Sequence, residues 1–312
     1  MSRKKVIGIL SMAYGTPTAV EEVLPYYTHI RRGRPPEPQQ LHDLIARYDA
    51  IGGLSPLNEI TGRQVVGLEQ MLTELEPNAE YRVYIGMKHW HPYIEETVKQ
   101  MHDDGITEAI GVVWAPHYSA MSVGSYIEYA EKAREKWGGP AKISYVKDWH
   151  LQPLFLASTA RRVQAALDEI PAELREQTPV VFTAHSLPAR ITQMGDPYPQ
   201  QIEESARAVA ESIGHANWFT GWQSAGRTPE PWLGPDILDV IREQAAQGVK
   251  SLVICPFGFV SDHLEVLYDV DIEAKQLADE LGIQLVRAAS PNDEEEFLRA
   301  VATAVLEQAD KD

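Results

Sequence analysis

Pro179–Tyr198 reads PVVFTAHSLPARITQMGDPY. Val180, Val181 and Phe182 form an apolar run expected to be a short buried strand, which Thr183–Pro188 turns into a loop. Pro188 lacks the N–H needed to prolong a ladder, so the strand must stop near His185. An imidazole is thereby placed at the C-terminal end of a strand. In open α/β sheets the crevice beyond those ends is where ligands bind. A loop histidine satisfied by hydrogen bonds is the ordinary alternative for this stretch taken alone.

Outward from this stretch, strand-like and helix-like runs alternate. Strands are expected at Val6–Met12, Tyr81–Ile85, Ala109–Trp114, Ile143–Val146, Val180–Thr183, Trp218–Gly221, Ser251–Pro256 and Gln284–Ala288. Amphipathic stretches lie between them, among them Thr61–Leu75, Tyr93–His102, Ser125–Trp137, Ile202–Ile213 and Pro235–Gln247. Alternation of this kind implies β/α units and parallel sheets, whose strands are covered on both faces and read as unbroken apolar runs.

The halves resemble a duplication. Strand one ends in Tyr14-Gly15-Thr16-Pro17 and strand five in His185-Ser186-Leu187-Pro188. Gly86-Met87-Lys88 corresponds to Gly221-Trp222-Gln223, and Ala115-Pro116 to Cys255-Pro256. The shared order carries more weight than each short match. Tyr14 to Gly86 spans 72 positions and His185 to Gly221 spans 36, so the first half holds an insertion the size of a helical hairpin, about 26–56. The expected fold is α/β, with two similar lobes and an active-site cleft between them. The first lobe covers 1–149, with the helix at 293–308 expected to pack back on it, and the second covers 150–292. Tyr14 and His185 would occupy equivalent positions on opposite walls.

With 312 residues, 44% apolar, and a net charge of −17, the chain is an ordinary globular composition poorly suited to nucleic acid or anionic membranes. One cysteine, Cys255, excludes an internal disulfide and cannot support a four-cysteine iron–sulfur cluster. No apolar stretch approaches the ~20 residues of a membrane span. A cytoplasmic monomer is expected. Charge is uneven: residues 1–47 carry seven Lys/Arg against four Asp/Glu, and residues 261–312 carry four against fourteen.

Four stretches carry chemistry. In SDHLEVLYDVDIE, Ser261–Glu273, the carboxylates of Glu265, Asp269 and Glu273 recur every four residues and would line one helix face. A capping box between Asp262 and Glu265, or a solvated acidic face, is the plain explanation; a path for a hydrated divalent cation is the sharper one. Glu265 beside His185 would offer oxygen and nitrogen ligands, a set that suits ferrous iron among other metals. Gly221–Asp236, GWQSAGRTPEPWLGPD, is a loop rich in Gly, Pro and Trp, suited to wrapping a flat ligand or making a domain contact. Ser125 and Tyr126 follow a helix start, where backbone N–H groups favour an anion unless serine simply caps the helix. Arg31, Arg32, Arg34 and Arg47 could be surface charge, but the guanidinium fork also grips carboxylates through two parallel bonds. A metal-using enzyme on a flat polyanion and a non-catalytic two-lobed binding protein both fit. Nucleotide use does not, because neither GxxxxGK[ST] nor GxGxxG occurs.

TAHSLP with GDPY, WQSAGRTPEPWLGPD and FVSDHLEVLYDVDIE together resemble the ferrochelatases, which insert ferrous iron into a porphyrin. The likeness runs over nearly the whole chain. TPTAVEEVLPYYTHIRRGRPPEP resembles the short Gram-positive branch, whose substrate is coproporphyrin III; protoporphyrin IX is the alternative substrate. The resemblance implies two Rossmann-like, chelatase-like lobes. It implies that His185 and Glu265 act on one side of the macrocycle as catalytic residues and metal ligands, with Tyr14 as axial ligand of the product iron on the other. Arg31, Arg47, Tyr48, Ser55 and Tyr126, together with Tyr14, would bind the porphyrin and its propionates. Asp269 and Glu273 would form the outer relay for hydrated metal, and Lys88 and His89 would line the cleft. No organic cofactor is expected, iron being a substrate, and a later heme-pathway enzyme would be a transient partner.

Overall fold

The computed structural model describes residues 5–226 and 228–311; Arg227, in the Trp-rich loop, and the first four residues of the expected N-terminal lobe lie outside them. The chain divides into two compact units. One comprises Met1–Pro116, Ala120–Trp149 and Asn292–Asp312, the other His117–Ser119 and His150–Pro291.

In the first unit, β1 (Val6–Ala13), β2 (Glu80–Met87), β3 (Glu108–Val113) and β4 (Lys142–Val146) form a parallel sheet in the order β2-β1-β3-β4. Interior strands are the most apolar: β1 reads VIGILSMA and is buried from Gly8 onward, as a strand covered on both faces must be. The insertion is a pair of helices, α1 (Val23–Ile30) and α2 (Pro38–Ala50). Then come α3 (Leu57–Leu75), α4 (Ile94–Asp103) and α5 (Val123–Trp137). Helix α3 starts four residues before its expected Thr61, at Leu57 just after Pro56.

The second unit repeats the plan. After α6 (Pro153–Asp168), strands β5 (Val180–His185), β6 (Trp218–Gln223), β7 (Ser251–Cys255) and β8 (Gln284–Arg287) form a parallel sheet in the order β6-β5-β7-β8. The order matches that of the first sheet, so β1 and β5 are equivalent central strands. Helix α7 (Tyr198–Ser212) begins at Tyr198 rather than Ile202, with Pro199 in its first turn, where a missing N–H costs nothing. Helix α8 (Ile237–Ala246) packs with β5, β7 and the helix after β7 in a core that includes Val181, Ile241, Ile254 and Val270.

The helix after β7 departs most from expectation. It runs as α9 (Leu264–Tyr268), then a π-helical turn (Asp269–Ala274), then α10 (Lys275–Glu280). Lastly α11 (Glu295–Ala309) lies in the first unit, where Phe297 packs against Trp114 and Trp149 and Arg299 pairs with Glu74.

Candidate active site

His185 closes β5 in register with Gln223, the last residue of β6. The paired ends are locked by Thr183 Oγ1 donating to Gln223 Oε1 at 2.8 Å and Ser186 N–H to the Gln223 carbonyl at 2.7 Å. Both strands therefore run two residues beyond their expected ends. Tyr198 OH donates to the His185 carbonyl at 3.1 Å. The loop after β6 returns over this turn: Ser186 Oγ donates to the Leu233 carbonyl at 2.8 Å, and the Trp232 ring lies 6.5 Å from that of His185.

His185 Nδ1 donates to the Ser186 carbonyl. A carbonyl only accepts, so Nδ1 carries its hydrogen and Nε2 is the nitrogen that titrates. That Nε2 stands 3.6 Å from Glu265 Oε1. His263, absent from the expected site, repeats the arrangement: Nδ1 is tied to the Ser261 carbonyl at 2.9 Å and Nε2 lies 3.6 Å from Glu265 Oε2. Burial alone would lower the His185 pKa, but the Glu265 carboxylate and the Ser186 carbonyl outweigh it and the net shift is upward. Burial likewise pushes Glu265 up, and the two imidazoles overcome it, holding the group well below the usual carboxylate range. Glu265 therefore favours the protonated form of His185. The pair stays reachable, with 32% and 38% of the two side chains exposed.

The expected capping box is also corrected. The N-cap is His263, with no side-chain cap, and Asp262 is drawn away to Arg287. Nor is the acidic line simply a solvated face. Asp269 is 5% exposed and accepts from Ser224 Oγ at 2.5 Å. In a regular α-helix, residues four apart drift by about 40° around the axis. The wider winding of the π turn drifts the other way, so Glu265, Asp269 and Glu273 stay closer to one line than an α-helix allows. Among the described residues, no three His, Cys, Asp or Glu side chains are gathered into a metal-holding group.

In the first unit, the ends of β1 and β2 carry a second cluster. Lys88 and His89 donate their backbone N–H groups to the carbonyls of Ala13 and Tyr14, both at 2.9 Å. Tyr14 is 40% exposed, and its ring lies 4.6 Å from the buried His89 ring, whose Nδ1 is 3.1 Å from His29 Nδ1. Burial, with Lys88 and His29 adding, lowers His89 to about 3, so it is neutral. Burial, aided by Arg32, brings the Lys88 ammonium down to about 8. It donates to Ser125 Oγ at 2.7 Å above the Tyr126 ring. Ser122, the N-cap of α5, makes no side-chain cap, so simple serine capping does not explain that turn.

The expected porphyrin contacts are mixed. Tyr48 is buried, its hydroxyl 3.2 Å from Thr16 Oγ1; Tyr126 is buried under Lys88. Ser55 Oγ accepts from Leu57 N–H at 3.3 Å. Arg31 lies over Tyr27 and donates Nε to the Arg34 carbonyl at 3.3 Å. Arg31, Arg32 and Arg34 make no ion pair among the described residues. Arg47 sits in the last turn of α2. Cys255 is buried and its thiol is pushed up to about 12 by burial, an unreactive core group.

Comparison with known proteins places this geometry. The Ferrochelatase family model matches residues 6–309. A coproporphyrin III ferrochelatase of Geobacillus kaustophilus is 49% identical over 98% of this chain and 96% of its own. That of Bacillus subtilis is 48% identical over 99% of both chains. Among solved structures, the sirohydrochlorin chelatase SirB from Bacillus subtilis subspecies spizizenii in complex with cobalt has the same fold. Its TM-score is 0.60 at 14% identity, covering 98% of this chain and 96% of that one.

Proposed function

The chain belongs to the ferrochelatase family, and from that premise we propose that it inserts ferrous iron into coproporphyrin III, a step of heme biosynthesis. Relatives 48–49% identical over nearly full length carry that substrate in their names, and Arg31, Arg32 and Arg34 on the inserted hairpin offer cations for a tetracarboxylate. The observation that carries the chemistry is the Glu265 carboxylate with an imidazole Nε2 3.6 Å from each oxygen.

Insertion replaces two pyrrole N–H protons with Fe²⁺, so the site must accept protons while iron sheds water. His185 Nε2, with Nδ1 pinned, takes a pyrrole proton, and the Glu265 carboxylate stabilises the imidazolium formed. Glu265, with His263 behind it, passes protons to solvent. Asp269 and Glu273 supply hydrated Fe²⁺ along the acidic line, their oxygens suiting a divalent ion still holding water. The Tyr14 phenol ligates iron in the product. Arg31, Arg47 and Ser55 hold propionates, while Tyr48, Tyr126, Lys88 and His89 shape the ground around Tyr14. Iron is a substrate, and the reaction uses neither an organic cofactor nor an iron–sulfur cluster. The protein works as a cytoplasmic monomer, handing product transiently to the next heme-pathway enzyme.

Anaerobic incubation with Fe²⁺ and coproporphyrin III or protoporphyrin IX, followed by absorbance, tests the assignment. Faster metallation of coproporphyrin is expected. Equal efficiency on both would refute the branch, and metallation of neither would refute the activity and favour a non-catalytic binding protein.

A further inference from the structure

Arg287 closes β8, and its guanidinium reaches two carboxylates that bracket Glu265 in the chain. Nε and Nη2 donate to the two oxygens of Asp271 at 2.6 and 3.0 Å, a bidentate pair. Nη1 donates to Asp262 at 3.2 Å and to Ser290 Oγ at 3.4 Å. Asp262 belongs to the turn just before His263 and Glu265; Asp271 lies inside the π turn. One side chain thus ties the entry of this helix and its irregular turn to the end of a sheet strand. Only 17% of the Arg287 side chain is exposed. Burial would weaken its charge, yet the two aspartates raise its pKa above the ordinary arginine value.

A π turn inside an α-helix is rare, and irregular backbone of this kind persists only where its surroundings hold it. Ser224, itself left-handed at φ 60°, holds the turn through Asp269. Arg287 holds it through Asp271. Relaxation to α winding would expel one residue from the turn and rotate the downstream helix by roughly 100°, taking Glu273 off the line of Glu265 and Asp269. We propose that Arg287 is a positioning residue for iron insertion: through Asp262 and Asp271 it keeps the winding that aligns Glu265, Asp269 and Glu273 and fixes the turn that aims His263 and Glu265. It rests on the role given to Glu265 above.

The test compares Arg287→Lys, Asp271→Asn and the double variant for kcat, KM for Fe²⁺, coproporphyrin binding and thermal midpoint. Lysine keeps the charge and loses the fork; Asp271 is exposed, so its amide variant folds even where the arginine variant does not. Expected are a kcat reduced on the order of tenfold to a hundredfold, a raised KM for iron, unchanged porphyrin binding, and a double variant no worse than the poorer single. Variants that are less heat-stable but keep wild-type kcat and iron KM would overturn the proposal, leaving an ordinary structural ion pair. Glu265→Gln is measured alongside. If it is inactive while Asp271→Asn is normal, only the Arg287 role fails; if it is fully active, the reading of Glu265 fails first.

Discussion

Each oxygen of the Glu265 carboxylate faces a different imidazole, and this sets the charge of the site. A base must be unprotonated to act, so kcat/KM should rise with pH through the raised pKa of His185, placing the acid limb above the ordinary histidine value of 6.5. Glu265→Gln removes the charge that raises it and leaves burial dominant, so the limb of the residual activity should move down. A limb that stays put in that variant would show that another group titrates. His263 is the residue that sequence reasoning passed over. His-x-Glu was visible in SDHLE, but the capping-box reading gave Glu265 a local partner. What defeats that reading is Arg287, 25 positions from Asp262 and invisible to any local pattern. His263→Ala should therefore lower kcat by less than His185→Ala, since it removes a neighbour of Glu265 and not the base; equal losses would contradict that ranking.

At the scale of elements, the strand ends do the placing. β5 can present His185 only because the loop after β7 lies against it. A Cβ on Gly258 would stand 2.4 Å from Ala184 Cβ and 2.7 Å from its Cα. Those contacts cannot yield without moving the strand, so Gly258→Ala should cost about 1–3 kcal/mol and impair kcat as well; urea unfolding and turnover measured together check it, and a neutral substitution would mean the loop gives way freely. Strands, helices and the insertion were legible because interior parallel strands are apolar throughout and helices are periodic. Boundaries were less so: β5 and β6 are lengthened by the Thr183–Gln223 pairing across strands. The π turn was not legible at all, because nothing local in DVDIEA distinguishes it from α winding; it is held by Ser224 and Arg287, distant in sequence. Along that line, Glu273→Gln should raise the KM for iron while leaving kcat at saturating iron near wild type, and a kcat loss there would place Glu273 in the chemistry.

For the whole molecule, substrate choice is a question of charge. Coproporphyrin has two more propionates than protoporphyrin, and each charged hydrogen bond contributes roughly 1.5–3 kcal/mol; at the upper end, losing two means more than a hundredfold. Arg31→Ala and Arg47→Ala should weaken use of coproporphyrin more than of protoporphyrin, read as the ratio of kcat/KM values; an unchanged ratio would remove these arginines from propionate recognition. The duplicated sheet order makes Tyr14 and His185 equivalent in position, yet their neighbours differ. His185 faces a carboxylate, whereas Tyr14 packs at a tilt against a neutral imidazole. The most direct measurement is anaerobic Fe²⁺ insertion into coproporphyrin III by wild type and His185→Ala, with porphyrin binding followed separately. Rapid metallation by wild type, and a loss of about a hundredfold or more in a variant that still binds porphyrin, is the predicted result. Near-normal turnover by His185→Ala would contradict it.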